Sequence, residues 1–282
     1  MVSWCCSLLA AVVVGTWNGE WFPSGRAEHR ANEKVEAAAI SAAAEMVRAG
    51  LARQDPAGTN DLILCFNEIR DRETADALCA AIGRTNLAVA ALSAYRRRDR
   101  FDMQQDLILT TLPVVSGNWS WWRNAKENRP PRGFAHAEIV LSPAVTAAVY
   151  AVHLKSDYGA TTDEIRAANR AKRLKAVEQL VDMTKTKRGK SGPPVIIAGD
   201  FNTDKGDRNG PEPIFGLLEK AKFTDALGTL DPRDRVTHPG HGKFPNGTLD
   251  YIMIRGLSVR GVPAVEPALS LSDHNAVFVT VQ

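Results

Sequence analysis

The chain has 282 residues, 44% of them hydrophobic, and a formal net charge of +3. That length buries one large core or two small ones, and that charge alone does not argue for a nucleic-acid partner. The four cysteines follow no zinc or disulfide spacing: Cys65 and Cys79 sit in apolar contexts suited to small core residues, and adjacent Cys5 and Cys6 do not easily bridge each other.

Trp4 to Val14 is mostly apolar, with no basic residue before it. Its second half is needed as the first strand, because Asn18 follows directly. Residues 1–10 are therefore either an extension of that strand or the remnant of a cleaved leader. The first reading implies the cytoplasm, the second a secreted or periplasmic protein. No run reaches the length of a transmembrane span. A monomer without a dedicated protein partner is expected.

In chain order, Val12–Trp17 reads as a strand, followed by a loop Gly19–Arg26. Alanines with Val35, Ile40 and Val47 predict a helix from about Glu28 to Ala49, which Gly50 closes or begins to leave. After a polar linker, the strand Leu62–Phe66 leads into Asn67-Glu68. A short helix spans Thr74–Ile82. Strands Leu87–Leu92 and Leu107–Leu112 follow, separated by a charged turn, Tyr95–Asp102.

Ser116–Gly133 lacks periodicity and is too long for an ordinary connection, which favours a functional loop. It holds Trp119, Trp121, Trp122, Arg123, Arg129 and Arg132. Aromatic rings beside arginines suit bases stacked over a charged backbone. They equally suit a lipid headgroup region, a protein partner, or a flap packed by its own tryptophans.

Phe134–Leu141 and Ala147–Leu154 read as antiparallel strands. Thr161–Met183 has helical spacing, with Thr162 as its cap. Val195–Ala198 is a buried strand, Ile214–Ala221 a short helix, and Asp231–Thr248 a polar loop carrying His238 and His241. Strands Leu249–Ile254 and Ala276–Val281 end the chain. The clusters Arg96-Arg97-Arg98 and Lys185-Thr186-Lys187-Arg188 read as solvated faces, and His29 as a helix-surface histidine.

Polar groups close many of these strands: Asn18, Asn67-Glu68, His153, Asp200 with Asn202, Asp250, and Asp273-His274. Asp200 and Asn202 stand two apart, so on an extended segment they share a face. Many strands with few helices fit two facing sheets with helices outside. A crevice at one end would receive the polar strand ends. No domain boundary is visible, so residues 1–282 are expected to form a single catalytic domain.

These segments resemble the endonuclease/exonuclease/phosphatase superfamily, in particular its DNase I-like general bacterial nucleases. Thr16-Trp17-Asn18 looks like the first motif, Asn67-Glu68-Ile69 the metal-binding glutamate motif, and His153-Leu154-Lys155-Ser156 the histidine motif. Gly199-Asp200-Phe201-Asn202, Leu249-Asp250-Tyr251 and Ser272-Asp273-His274 look like the remaining three. Any one is weak; six in order over nearly the whole chain are specific. The resemblance implies a four-layer α/β sandwich, two mainly antiparallel sheets flanked by helices, and divalent-metal hydrolysis of phosphate esters. In DNase-like relatives the equivalent of His153 leans on a carboxylate of a preceding strand; the matching position here is Gln104.

The chemistry asks for these residue types independently. Cleaving a phosphodiester needs an activated water, neutralisation of the forming charge and help for the departing oxygen. Glu68 is the first choice as Mg2+ ligand, with Mn2+ or Ca2+ as substitutes, since hard cations prefer carboxylate oxygen. Asn18 and Asp273 complete or support that site. Neutral His274 is the expected base, with Asp250 on its opposite nitrogen. Asp200 acts near the attacking water or the leaving group, Asn202 donates to a phosphoryl oxygen, and His153 binds the same phosphate. Lys155 and Arg132 are candidate phosphate contacts. A nuclease acting on DNA leads. A sphingomyelinase-like or small-molecule phosphodiesterase, and a non-catalytic binding protein on the same scaffold, are the alternatives.

Overall fold

The computed structural model describes residues 10–25, 32–97, 100–101, 103–123, 127–185, 192–206, 212–240 and 245–282. Residues 1–9, Cys5 and Cys6 among them, His29, Arg98, the cluster 186–188 and His241 lie outside the described residues. No described helix is long and apolar enough to cross a membrane.

The chain begins with β1 (Val12–Phe22), α1 (Glu33–Gln54), β2 (Asp61–Ile69), α2 (Arg72–Ile82) and β3 (Ala88–Leu92). A short pair follows, β4 (Arg96–Arg97) and β5 (Arg100–Phe101), then β6 (Gln105–Thr110) and β7 (Val114–Trp121). Next come β8 (Gly133–Ser142), β9 (Val145–His153), α3 (Asp163–Met183), β10 (Val195–Asp200) and α4 (Pro213–Lys220). The last elements are β11 (Thr224–Asp225), β12 (Asp250–Arg255), β13 (Val259–Glu266) and β14 (Ala276–Val281).

Two six-stranded sheets result, in the orders β13-β14-β1-β2-β6-β3 and β11-β12-β10-β9-β8-β7. Only β1–β2 and β9–β10 pair parallel; their other pairings are antiparallel. The sheets face each other over a core that includes Val14, Ile63, Ile108, Ile196, Ile252 and Val279. On the outer face of the first sheet, Leu62 and Leu64 pack with Val47 of α1 and Leu78 of α2. On the outer face of the second, Ile197 and Tyr251 pack with Val177 of α3 and Phe215 of α4. This is the expected four-layer α/β sandwich.

Both faces of the central strands are covered, which is why Leu62–Phe66 and Val195–Ala198 are continuous apolar runs rather than alternating ones. Successive side chains still point to opposite faces, so Ile63 enters the central core while Leu62 and Leu64 enter the outer one. Each fully buried side chain of this kind contributes about 1.5–3 kcal/mol.

Three expectations are corrected. The first helix starts at Glu33, behind an Asn32 cap that accepts the Val35 N–H, and runs past Gly50 to Gln54. Gly50 does not end it: a Cβ there would lie 2.2 Å from the Phe278 ring, so the glycine lets the helix lie flat on β14. Second, the front half of Ser116–Gly133 is no loop. It is the edge strand β7, paired with β8 from Val114–Ile139 to Trp121–Gly133. Third, β13 is an additional strand at the edge of the first sheet. Thr162 does cap α3, accepting the Ile165 N–H at 3.3 Å.

Candidate active site

Strand register assembles the site. The β1–β2 pairing sets Asn18 beside Asn67. In the other sheet, β10 runs between β9 and β12, placing Asp200 opposite His153 on one side and Asp250 on the other. A Cβ on Gly199 would fall 2.0 Å from the Val152 carbonyl and 2.9 Å from Asn67 Oδ1. A side chain there would push the strands apart where the two sheets approach.

Asn67 ties the sheets together. Its Oδ1 accepts the Asp200 N–H at 2.9 Å, and its Nδ2 donates to Asp106 at 2.7 Å. The Tyr95 hydroxyl donates to the other Asp106 oxygen at 2.8 Å. Asp106 and Tyr95 are fully buried, so this network fixes Asp200 from behind.

Glu20 (φ 45°), Trp21 (φ 61°), Glu68 (φ 60°), Arg132 (φ 57°) and Asn202 (φ 53°) occupy the left-handed region. For side-chain-bearing residues this costs on the order of 1–3 kcal/mol each and persists only where the surroundings over-determine it. At Glu68 the left-handed turn aims the carboxylate back at β1, where it accepts the Trp21 N–H at 3.1 Å. At Asn202 it breaks the expected extended geometry. The Asn202 amide instead folds back to donate to Asp200 Oδ2 at 2.7 Å and to the Leu154 carbonyl at 3.2 Å.

His274 is held from several sides. Its Nδ1 lies 2.7 Å from Asp250 Oδ2. Its N–H donates to Ser272 Oγ, which in turn donates to the Asn18 carbonyl at 2.7 Å. Its carbonyl accepts from Trp17 Nε1 at 3.0 Å. With Nδ1 committed to Asp250, Nε2 faces Asp273 Oδ1 at 3.8 Å and Asp200 Oδ2 at 3.9 Å. Burial alone would lower the pKa of His274, but the charges of Asp250 and Asp200 outweigh it and raise it to about 10. These carboxylate charges favour the protonated ring, whereas the base role expected from the sequence needs the neutral one, which positive charge beside the same carboxylates favours.

Carboxylates dominate the opposite wall. Burial raises the pKa of Glu68, only partly offset by Gln104, Arg132 and Asn18. Burial also raises Asp200. Glu20 is raised by burial and by the charges of Asp273 and Glu68, which places it electrically between the two. It accepts the Asp273 N–H at 3.0 Å. Asn18 donates to Asp200 at 2.9 Å and lies 3.4 Å from Glu68. This surplus of desolvated carboxylate oxygen suits a hard divalent cation. Ligand atoms also converge within 4.8 Å in the groups His238-Asp273-His274 and Asp200-Asp250-His274; in the second, Asp250 and His274 already pair with each other.

His153 is buried, and burial, with the Arg132 charge, keeps it neutral. Its Nε2 faces Asp200 at 3.6 Å and Glu68 at 3.7 Å. No described residue hydrogen-bonds its Nδ1. Gln104 serves other groups: it interacts with Glu68 and accepts from Arg132 Nη1 at 2.6 Å. Beside this wall opens a cleft of about 310 Å³ lined by Trp121, Arg129, Arg132, Lys155 and Lys172.

The three tryptophans part company. Trp121 is 41% exposed, whereas Trp122 is 2% exposed and packs on Phe134 inside the outer core. Trp122 is thus a core residue and not a substrate contact. Trp119 is half-buried against the central core and stacks edge-on with Tyr95 and Trp121.

All the predicted polar site residues meet at one end of the sandwich. Sequence reasoning missed Glu20, though its i+2 spacing from Asn18 was visible. It also missed Ser272, Asp106, Tyr95 and Thr237, whose hydroxyl accepts the Leu249 and Asp250 N–H groups. His238, expected to be a loop residue, stands 5.1 Å from the His274 ring and 3.6 Å from Asp273.

The sequence model of the Endonuclease/Exonuclease/phosphatase family matches residues 15–274. No curated protein sequence matches the chain. Among solved structures, an endonuclease/exonuclease/phosphatase family protein from Leptotrichia buccalis C-1013-b is similar at TM-score 0.63 and 16% identity, covering 96% of this chain and 99% of that one. TDP2 from C. elegans is similar at TM-score 0.60 and 16% identity, covering 96% of this chain and 75% of that one. Sphingomyelinase C from Streptomyces griseocarneus gives TM-score 0.59 and 17% identity, covering 96% of this chain and 99% of that one. At these identities the structural likeness concerns the fold.

Proposed function

The chain belongs to the endonuclease/exonuclease/phosphatase family, whose members hydrolyse phosphoric esters, and from that premise we propose that it is a divalent-metal-dependent nuclease acting on DNA. The observation that carries this reading is the cleft beside Glu68 and His153, where four cationic side chains and an exposed indole stand together. Cations meet a phosphate backbone, and an indole face stacks on any base. A choline headgroup would bring a fifth positive charge into the same space, which disfavours the sphingomyelinase-like reading.

Glu68, with Glu20, Asn18 and Asp273, is the set that would hold Mg2+. When bound, the cation neutralises charge on the phosphoryl oxygens. His274, oriented by Asp250, takes the proton of the attacking water at Nε2. The water oxygen bonds to phosphorus, the phosphorus–ester oxygen bond breaks, and the leaving oxygen takes a proton from protonated Asp200 or from solvent. Asp200, within reach of His274 Nε2, orients the water or serves the leaving oxygen. His153 donates from a neutral ring to a phosphoryl oxygen, a role its low proton affinity favours. Asn202 steadies Asp200; donation to phosphate would require it to release one of its two present acceptors.

The test is a substrate panel with Mg2+ or Mn2+: single-stranded oligonucleotide, plasmid, and sphingomyelin vesicles. Cleavage of nucleic acid but not lipid is the expected result. Lipid cleavage with intact nucleic acid would reverse the assignment.

A further inference from the structure

The cleft beside the centre has more charge than one phosphodiester needs. Arg129 and Arg132 come from the segment between β7 and β8, Lys155 from the end of β9, and Lys172 from α3. Three separate parts of the fold thus converge on it. Pro130 and Pro131 stiffen its wall.

None of the four cations is ion-paired with a described residue. Arg132 Nη1 donates to the neutral Gln104 amide, and Lys155 Nζ to the Ser156 carbonyl, each at 2.6 Å. Arg132 Nε is buried with no hydrogen-bond partner among the described residues. Of the neighbouring carboxylates, Asp157 beside Lys155 accepts from Arg173 at 3.1 Å, and Glu68 is the one whose charge Arg132 feels. Burial, then the charges of Arg132 and Lys172, hold Lys155 below the ordinary lysine range. The cleft therefore stores like charge at a cost that an anionic ligand relieves.

Size and charge narrow that ligand. Small-molecule sites span about 300–1,000 Å³, so 310 Å³ is room for one nucleotide unit. An internal phosphodiester offers a single negative charge, whereas a phosphomonoester carries about −1.5 to −2 at pH 7 with three acceptor oxygens. Two guanidinium forks and two ammonium groups match the second. The cleft is continuous with the catalytic wall, because the Gln104 that accepts from Arg132 also contacts Glu68.

We propose that this cleft is a terminal-phosphate subsite: it takes the phosphomonoester of an unpaired nucleic-acid end, with Trp121 against the adjoining base, and directs cleavage to the neighbouring bond. The inference rests on the nuclease reading and makes that nuclease end-directed. Arg129 and Lys172 are its specificity-determining residues, since neither contacts the Glu68–His274 centre in the structure.

The test uses three otherwise identical single-stranded oligodeoxynucleotides, bearing a 5′-phosphate, a 3′-phosphate, or hydroxyls at both ends, with the whole chain and Mg2+. One phosphorylated end should raise kcat/KM for release of terminal products by roughly tenfold or more. In the Arg129→Ala/Lys172→Ala protein, checked for an unchanged circular dichroism spectrum, that preference should collapse. Equal cleavage of all three strands, or a preference that survives the double substitution, overturns the subsite and leaves the nuclease reading standing. If no strand is cut, the nuclease reading itself fails and takes the subsite with it.

Discussion

His274 Nδ1 lies 2.7 Å from Asp250 Oδ2, and both residues are buried at the end of the sandwich. The contact joins the turn before β14 to the start of β12, so each sheet contributes one partner. It fixes which ring nitrogen faces the reacting water. Replacing His274 by Ala should lower kcat by about 10²–10⁴-fold, the usual contribution of a positioned acid or base. Asp250→Asn should also lower it, with an unchanged far-UV spectrum. A His274→Ala enzyme turning over at the native rate contradicts the assignment.

Metal binding should be coupled to proton release. Glu20, Glu68 and Asp200 have raised pKa values because they are buried without a cation, and His274 is raised to about 10 because carboxylates surround it. The native state therefore binds more protons than the unfolded chain, and stability falls with rising pH where these groups titrate. The His274 contribution is fully present below its unfolded value near 6.5 and is lost as pH rises through about 10. In chelator, thermal denaturation should show Tm falling between pH 6 and 9. Mg2+ should oppose that fall, and its affinity, read by calorimetry, should rise with pH. A pH-independent affinity would contradict this.

The neighbouring indoles should separate stability from binding. Trp122→Ala should destabilise by about 3–5 kcal/mol, as for other large core truncations, read as a lower urea midpoint. Trp121→Ala should leave the midpoint much closer to native and weaken single-stranded DNA binding by about 1–3 kcal/mol, the usual worth of one stacked base. Equal stability losses would place both rings in the core.

Asp71 caps α2, accepting the Thr74 N–H and hydroxyl at 2.9 and 2.8 Å. Burial would raise its pKa, but these bonds and Arg70 outweigh it and lower it. Its contribution is thus present above the ordinary aspartate range and lost as pH falls through the depressed value. Asp71→Ala should cost about 1 kcal/mol at pH 7 and less in acid, measured by urea titration.

The strand ends were legible because buried strands write themselves as apolar runs, and those runs stop where Asn18, Glu68, His153, Asp200 and Asp250 begin. The helices were legible from periodicity. β7 was not: as an edge strand with exposed Val114 and Val115 and a glycine at 117, it shows no alternation. Without a strand there, nothing separated Trp121 from Trp122, although adjacent strand residues face opposite ways. β13 was hidden by Gly261 and Pro263, residues tolerated at a sheet edge. Gly50 reads as a helix stop locally and as a packing position only once Phe278, far along the chain, lies against it. His238 and Thr237 reach the site through loop closure, which leaves no periodic signal.

The most direct measurement is hydrolysis of a single-stranded oligonucleotide by the native chain and by the Glu68→Gln protein, each with Mg2+ and with excess chelator. Native protein with Mg2+ should cut, chelator should abolish cutting, and Glu68→Gln should lose both activity and the Mg2+-dependent rise in Tm. Undiminished cleavage in chelator, or by the Glu68→Gln protein, would contradict a cation held by these carboxylates.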